Sequence, residues 1–246
     1  MLITENTLRA RRGGGCLKEL RLALSDILTP AARDYLRTHG VKLIWRGEDK
    51  APRTFGGGYT DSAGHHYREK PEHMTHLRGN HLVGKTHPRI ALRGKLDSLQ
   101  AKVLEGQILA QKQGVDETVL ALEEILAFLR KLLACEVKEE AFAWETLLGM
   151  DAPALRQASH NPEVSCGMPF CLPSYKMGEL AVCLNSLRAA AREVELAAAL
   201  AFTDEHGAAQ RGDILQALNR LSSAFHILYC RAAVLTKGEW QFGRNE

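Results

Sequence analysis

Three charged residues, Arg188, Arg192 and Glu195, stand at i, i+4 and i+7. On a helix that spacing sets all three on one face. Two outcomes are open. One is a solvated face carrying an Arg192–Glu195 pair. The other is two guanidiniums converging on a polyanion, for which the planar fork of arginine is suited because it holds phosphate oxygens in pairs. A second polar group interrupts DILQALNRLSSAFHILYC, where Asn219, Arg220, Ser222 and Ser223 lie among Leu218, Leu221 and Phe225. Short polar residues are poor helix formers and need partners when buried. They form either a helix–helix hydrogen-bond network or, through Asn219 and Arg220, a contact to a ligand. Asp97 stands at the rim of an apolar stripe, where a carboxylate usually finds a cation, and Arg188 is a candidate partner. Six of the ten histidines fall between 65 and 87. His73 and His76 lie at i, i+3 and are the candidates for a divalent metal, which would need three or four converging ligands. The other reading is a polar segment with no fixed metal. The six cysteines form no C-x-x-C pair, which argues against a disulfide framework.

The elements that must carry these residues fall into two zones. The chain has 246 residues, 45% of them hydrophobic, and a formal net charge of +3. That composition supports a buried core and excludes disorder for most of the chain, and the charge is too small to argue for nucleic acid. Leu20, Leu22 and Leu24 alternate with Glu19, Arg21 and Ala23 as a strand does. Thr29-Pro30 reads as a helix N-cap and first position, Gly40 as the stop, and Val41 to Trp45 as a second strand. Residues 1–68 therefore read as a small β-α-β unit with a Gly-rich linker over 47–68. Residues 69–236 read as a bundle, and 237–246 as a tail. Stripes at helical spacing run through Leu92–Val103, Val115–Leu133, Met177–Ala198 and Ile214–Leu228. A shorter helix is expected over 138–149, which makes five, and a long loop over 150–175. The fold class is mainly α, a five-helix bundle with the small N-terminal unit. With no apolar leader and no span of bilayer length, the expected location is the cytoplasm, with no membrane and no nucleic-acid partner.

In combination these segments resemble the ATP:corrinoid (cobalamin) adenosyltransferases, most closely the ethanolamine-utilisation type. HPRIALRGKLDSLQA is similar to the family's D-x-R-I-x-x-x-G-x-x-D-E-L-N segment. Phe170-Cys171-Leu172-Pro173 resembles its F-x-L-P turn, Arg188-x3-Arg192-x2-Glu195 its R-x3-R-R-x-E-R helix, and Leu218-Asn219-Arg220-Leu221-Ser222 its Y-L-N-R-L-S-D stretch. The resemblance implies the bundle fold and transfer of the 5′-deoxyadenosyl group of ATP to the cobalt of reduced cobalamin. Co(I) attacks C5′, the C5′–O bond breaks, and polyphosphate leaves. It implies that Arg188 and Arg192 contact the ATP phosphates, that Glu195 orders Mg²⁺ or an arginine, and that Asn219 and Arg220 lie at the nucleotide. It further implies an Asp97–Arg188 ion pair that shapes the corrinoid side of the site, and Phe170 closing the lower face of the corrin. The family's Gly-rich phosphate loop is missing. Lys70, Thr75 and Lys85 stand in its place as candidate phosphate contacts. A Cys-Cys-x-x-Cys metal motif carried by some ethanolamine-type members is missing as well. The resemblance also implies a homo-oligomer, a trimer or alternatively a dimer, and association with a bacterial microcompartment. The alternatives are a non-catalytic corrinoid carrier or a structural partner within a microcompartment.

Overall fold

The computed structural model describes residues 2–12, 18–23, 26–46, 58–169 and 171–235. The chain divides into two compact units, Met1–Gly58 and Tyr59–Glu246.

The first unit contains β1 (Leu2–Ile3), α1 (Glu5–Arg12), β2 (Glu19–Ala23), β3 (Ile27–Leu28), α2 (Pro30–Thr38) and β4 (Lys42–Arg46). β2 and β4 pair in parallel, and so do β1 and β3. A parallel pair needs a crossover, and α2 supplies it. The Thr29 side chain accepts from Ala32 N–H, Pro30 opens the helix, and Gly40 follows it at φ +61°. Ile3, Leu8, Leu22 and Leu36 close the core. The β-α-β unit is thus as the sequence implies, with α1 and the β1–β3 pair in addition.

The second unit begins with a four-stranded sheet of β5 (Tyr59–Asp61), β6 (His66–Tyr67), β7 (Met74–Arg78) and β8 (His81–Gly84), in the order β6-β5-β8-β7. Residues 59–67 were expected within a linker, but they pair instead. Asp61 organises the β5–β6 turn. Its carboxylate accepts from the backbone of Ala63 and His65 and from the hydroxyl of Tyr67. A hydrogen bond with the His65 ring, followed by those from Tyr67 and the two backbone N–H groups, holds the Asp61 pKa well below the ordinary carboxylate range.

Four long helices follow: α3 (Pro88–Lys112), α4 (Asp116–Lys138), α7 (Glu179–Phe202) and α8 (Gly212–Leu235). Two short ones, α5 (Ala152–His160) and α6 (Pro162–Cys166), lie between α4 and α7. The stripes meet in one core, where Leu92, Leu96, Leu122, Leu184, Leu218, Leu221 and Phe225 have no solvent contact. Each such side chain contributes about 1.5–3 kcal/mol of burial. Gly106 lets α3 approach its neighbours, since a Cβ there would meet Leu187 at 3.2 Å and Leu122 at 3.4 Å.

The helix expected over 138–149 is not formed. Glu139 adopts the left-handed conformation at φ 59°, and the N–H groups of Glu139 and Glu140 return to the carbonyls of Glu136 and Cys135. That closure ends α4. The chain then extends so that Phe142 and Trp144 set their rings edge-on against Phe128. A tight turn joins Leu147 to Met150. The fifth helix starts later, at α5, inside the stretch expected as a loop. There the Asp151 side chain accepts from Ala154 N–H, and Pro153 occupies the first turn.

Two ionic groups tie the pieces of this unit together. Glu136 is fully buried on α4. Arg89 Nε donates to its Oε1 at 2.6 Å and Arg93 Nε to its Oε2 at 2.5 Å. Arg93 also donates to the carbonyls of His76 and Leu77 on β7, which fastens the sheet to α3. At the start of α8, Arg211 holds the Asp213 carboxylate with two bonds of 3.0 and 2.8 Å, and Asp213 accepts from Phe142 N–H at 2.8 Å. The Arg211 bond, followed by these backbone donors, lowers the Asp213 pKa from 3.8 to about 2 despite partial burial. A carboxylate whose folded pKa is depressed adds stability above its unfolded value and loses it as pH falls through the folded one. Asp213 should therefore cost the fold stability between about pH 4 and pH 2. Asp213→Asn should flatten that part of a stability-versus-pH curve measured by urea unfolding. At neutral pH Asp213→Ala should cost about 2 kcal/mol, because Phe142 N–H and Arg211 lose their acceptor.

Candidate functional site

α5, α7 and α8 enclose an open cleft of about 760 Å³. Arg156 from α5, Arg192 and Glu195 from α7, and Gln216, Asn219 and Arg220 from α8 supply its polar wall. Pro153, Leu196, Ala199 and Leu215 supply the apolar one. α7 and α8 bury their stripes against each other, so the residues flanking those stripes must face a common seam. That is why Arg192 and Glu195, four and seven positions after Arg188, meet Asn219 and Arg220.

The groups are held in order. Asn219 Nδ2 donates to Glu195 Oε1 at 2.7 Å, and Arg220 Nη2 donates to Asn219 Oδ1. This chain fixes the amide and the carboxylate across the helix pair. Arg220 Nη1 is buried and meets no partner. An orphaned buried guanidinium nitrogen is costly unless an acceptor arrives. Burial and the nearby charge of Arg156 both lower the Arg220 pKa, against a smaller opposing pull from Glu195. Among the described residues neither Arg156 nor Arg192 has a carboxylate within ion-pair distance, and the neighbouring Glu193 is engaged by Lys95 at 2.7 Å. Three guanidiniums thus face one carboxylate. Such a cleft is electrostatically incomplete and suits a polyanion with several oxygens.

The other residues singled out in the sequence lie elsewhere. Arg188 is not in the wall of this cleft. Its Nε donates to Asn185 Oδ1 at 3.0 Å, and its charge acts on His226, Tyr229 and Cys230 of α8. Burial first, then Arg188 and His160, push the His226 pKa below its usual value and favour the neutral ring. The Asp97–Arg188 ion pair is not formed among the described residues, because Asp97 is exposed to solvent on α3 while Arg188 bonds within α7. Lys70 donates to the Met74 carbonyl, Lys85 pairs with Glu72 at the surface, and Thr75 stands opposite Val83 in the β7–β8 ladder, none of them in the wall of this cleft. Phe170 lies outside the described residues. Its neighbours Leu172 and Tyr175 are exposed.

The histidine expectation changes for a geometric reason. An i, i+3 spacing brings side chains together on a helix, but His76 is on strand β7 and His73 directly precedes it, where such a spacing sends them to opposite faces. His76 sets its ring edge-on to Tyr59, and His87 instead caps α3 by accepting from Arg89 N–H. Among the described residues no group of three or more His, Cys, Asp or Glu is arranged to hold a metal ion.

Arg156 is the charged cleft residue that sequence reasoning missed, and Gln216 a further polar one. The signal for Arg156 was a helix start, Asp151 followed by Pro153, inside a segment taken as loop.

The fold is a helix bundle with an arginine-rich cleft between α7, α8 and a short accessory helix. The sequence profile of the cobalamin adenosyltransferase family matches residues 66–232, and the chain belongs to that family. Among curated proteins it is similar to the corrinoid adenosyltransferase EutT of Salmonella typhimurium, 29% identical over 244 residues that cover 92% of this chain and 90% of that protein. EutT of Escherichia coli is likewise 29% identical over 245 residues, with the same coverage. Among solved structures it shares its fold with a variant PduO-type ATP:corrinoid adenosyltransferase from Lactobacillus reuteri complexed with cobalamin and ATP. That similarity has a TM-score of 0.52 at 22% identity and covers 71% of this chain and 96% of the other. A second variant of that protein gives a TM-score of 0.51 at 21% identity, over 68% and 89% of the two chains. No helix among the described residues is long and apolar enough to cross a membrane.

Proposed function

We propose that this chain transfers the 5′-deoxyadenosyl group of ATP to the cobalt of reduced cobalamin and that the α5–α7–α8 cleft receives the triphosphate. The observation that carries this reading is the orphaned Arg220 Nη1, held by the Glu195–Asn219–Arg220 chain in a cleft also lined by Arg192, which has no carboxylate partner among the described residues. In the reaction an electron pair from Co(I) forms the Co–C5′ bond, and the C5′–O pair leaves with the triphosphate. Charge therefore gathers on the leaving group, where preorganised cations lower the barrier most. Arg192 and Arg220 bind and orient the tail, which also sets C5′ for in-line attack. The cleft needs no general base, since no proton is removed in the bond-forming step.

Mg²⁺ suits Glu195. That carboxylate bonds through Oε1 alone among the described residues, and Mg²⁺ is usually held by one or two carboxylates together with substrate phosphates. Mg²⁺ bound there would neutralise part of the triphosphate charge. Arg188, one turn before Arg192 on α7, together with Asp97, Phe170 and the exposed Leu172 and Tyr175, would serve the corrinoid side. An apolar surface there excludes water from the lower face of cobalt. The product serves ethanolamine utilisation, and a microcompartment is its proposed setting. A homo-oligomer, trimer or dimer, would cover the exposed pairs Leu104 and Ile108 on α3 and Leu196 and Leu200 on α7.

Thermal shift with MgATP and with cobalamin, given separately, tests this reading. Stabilisation by MgATP in the absence of cobalamin is expected, because a ligand of the folded state raises its melting temperature. Stabilisation by cobalamin alone would favour a corrinoid carrier, and a response to neither a structural partner.

A further inference from the structure

We infer that Arg156, presented by the short helix α5, is a third ligand of the polyphosphate tail in the α5–α7–α8 cleft. The inference rests on the nucleotide reading above and extends it to an element outside the two long helices. Four observations support it. Arg156 lines the same cleft as Arg192, Glu195, Asn219 and Arg220. Its guanidinium has no acceptor among the described residues. It stands near enough to Arg220 for the two like charges to act on each other. The Arg220 nitrogen buried in that cleft has no acceptor either.

With Glu195 the one carboxylate in the cleft lining, the like charges of Arg156 and Arg220 are not balanced, and a structural role gives no reason to keep them so. An anion between them removes both the repulsion and the orphaned donor. The scaffold holds Arg156 on a firm base. Asp151 caps α5, Pro153 fixes its first turn, and Leu155, fully buried, anchors it to the bundle core. Arg156 therefore reaches the cleft from α5, as Arg192 does from α7, without a long loop to order. Guanidiniums from separate helices hold the leaving triphosphate in line with the reacting carbon.

The test uses inorganic tripolyphosphate and the full-length chain. Calorimetric titration should show Arg156→Ala binding tripolyphosphate about ten- to a hundred-fold more weakly than wild type, the loss expected for one charged hydrogen-bonding group. The KM for ATP should rise by a similar factor while the KM for cobalamin stays unchanged. Arg156→Lys should recover part of the affinity, because charge is kept and the fork is lost. Arg156 lies on the exposed face of α5, so Arg156→Ala should keep the wild-type melting temperature. Wild-type tripolyphosphate affinity in Arg156→Ala, alongside a loss in Arg192→Ala, would overturn the role of Arg156 and leave the nucleotide cleft standing. Failure of the wild-type chain to bind tripolyphosphate at all would overturn both.

Discussion

Arg192→Ala should lower kcat/KM for adenosyl transfer by roughly 10²–10³, the range seen when one preorganised donor to a developing anion is removed. Arg192 lines the cleft, is exposed to it, and has no protein counter-ion among the described residues. Its guanidinium is therefore free for substrate oxygens. The loss has two parts. Weaker ground-state binding raises the KM for ATP, and poorer stabilisation of the departing triphosphate lowers kcat. Folding should be unaffected, since Arg192 fills no space in the core and Ala191 and Val194 beside it carry the packing. Initial rates of adenosylcobalamin formation at varied ATP, followed by absorbance with chemically reduced cobalamin, measure both parts. An unchanged KM for ATP and an unchanged kcat would remove the triphosphate from this cleft.

The second large effect is on stability. Glu136→Ala should destabilise the fold by about 3 kcal/mol, because it strips the shared carboxylate from two mostly buried guanidiniums, of which Arg89 keeps a second partner in Glu139. Arg89 and Arg93 are only 14% and 16% exposed, and Glu136 not at all. Arg93 also ties the sheet to α3 through the carbonyls at the β7 bulge. Loss of Glu136 should therefore loosen β7 before the rest of the bundle. Urea unfolding gives the magnitude, and hydrogen exchange at Thr75–Arg78 gives the locus. Glu136→Gln should lose less, since an amide oxygen still accepts one bond. A loss below 1 kcal/mol for Glu136→Ala would mean that water replaces the carboxylate at no cost.

Residues with a strong local signal were the readable ones. Thr29-Pro30 and Gly40 bracket α2 because each performs a local task, capping, opening or closing a helix. The four long stripes were equally plain, because a helix that buries one face must repeat its apolar residues every three or four positions. That Arg192, Glu195, Asn219 and Arg220 belong to one site was implied by the family resemblance, and the packing of the striped faces of α7 and α8 brings them to one cleft. What stayed hidden depends on contacts between residues distant in the chain. Glu136 is 47 and 43 positions from Arg89 and Arg93, and nothing local in a Glu of α4 marks it as fully buried. Glu139 ends α4 by adopting a conformation that non-glycine residues seldom take, so the helix expected beyond it had every local reason to continue. His73 and His76 were read at the wrong period, helical where the chain is extended. α5 was overlooked because His, Ser and Pro around it look like loop, although Asp151 and Pro153 mark its start.

The most direct measurement is the position of the nucleotide itself, in a crystal structure of the full chain with MgATP and no cobalamin. Density for the triphosphate between Arg192 and Arg220, with an oxygen within hydrogen-bond reach of Arg220 Nη1, is the predicted result. Density for the triphosphate elsewhere, with Arg220 Nη1 still unpartnered, would contradict the account.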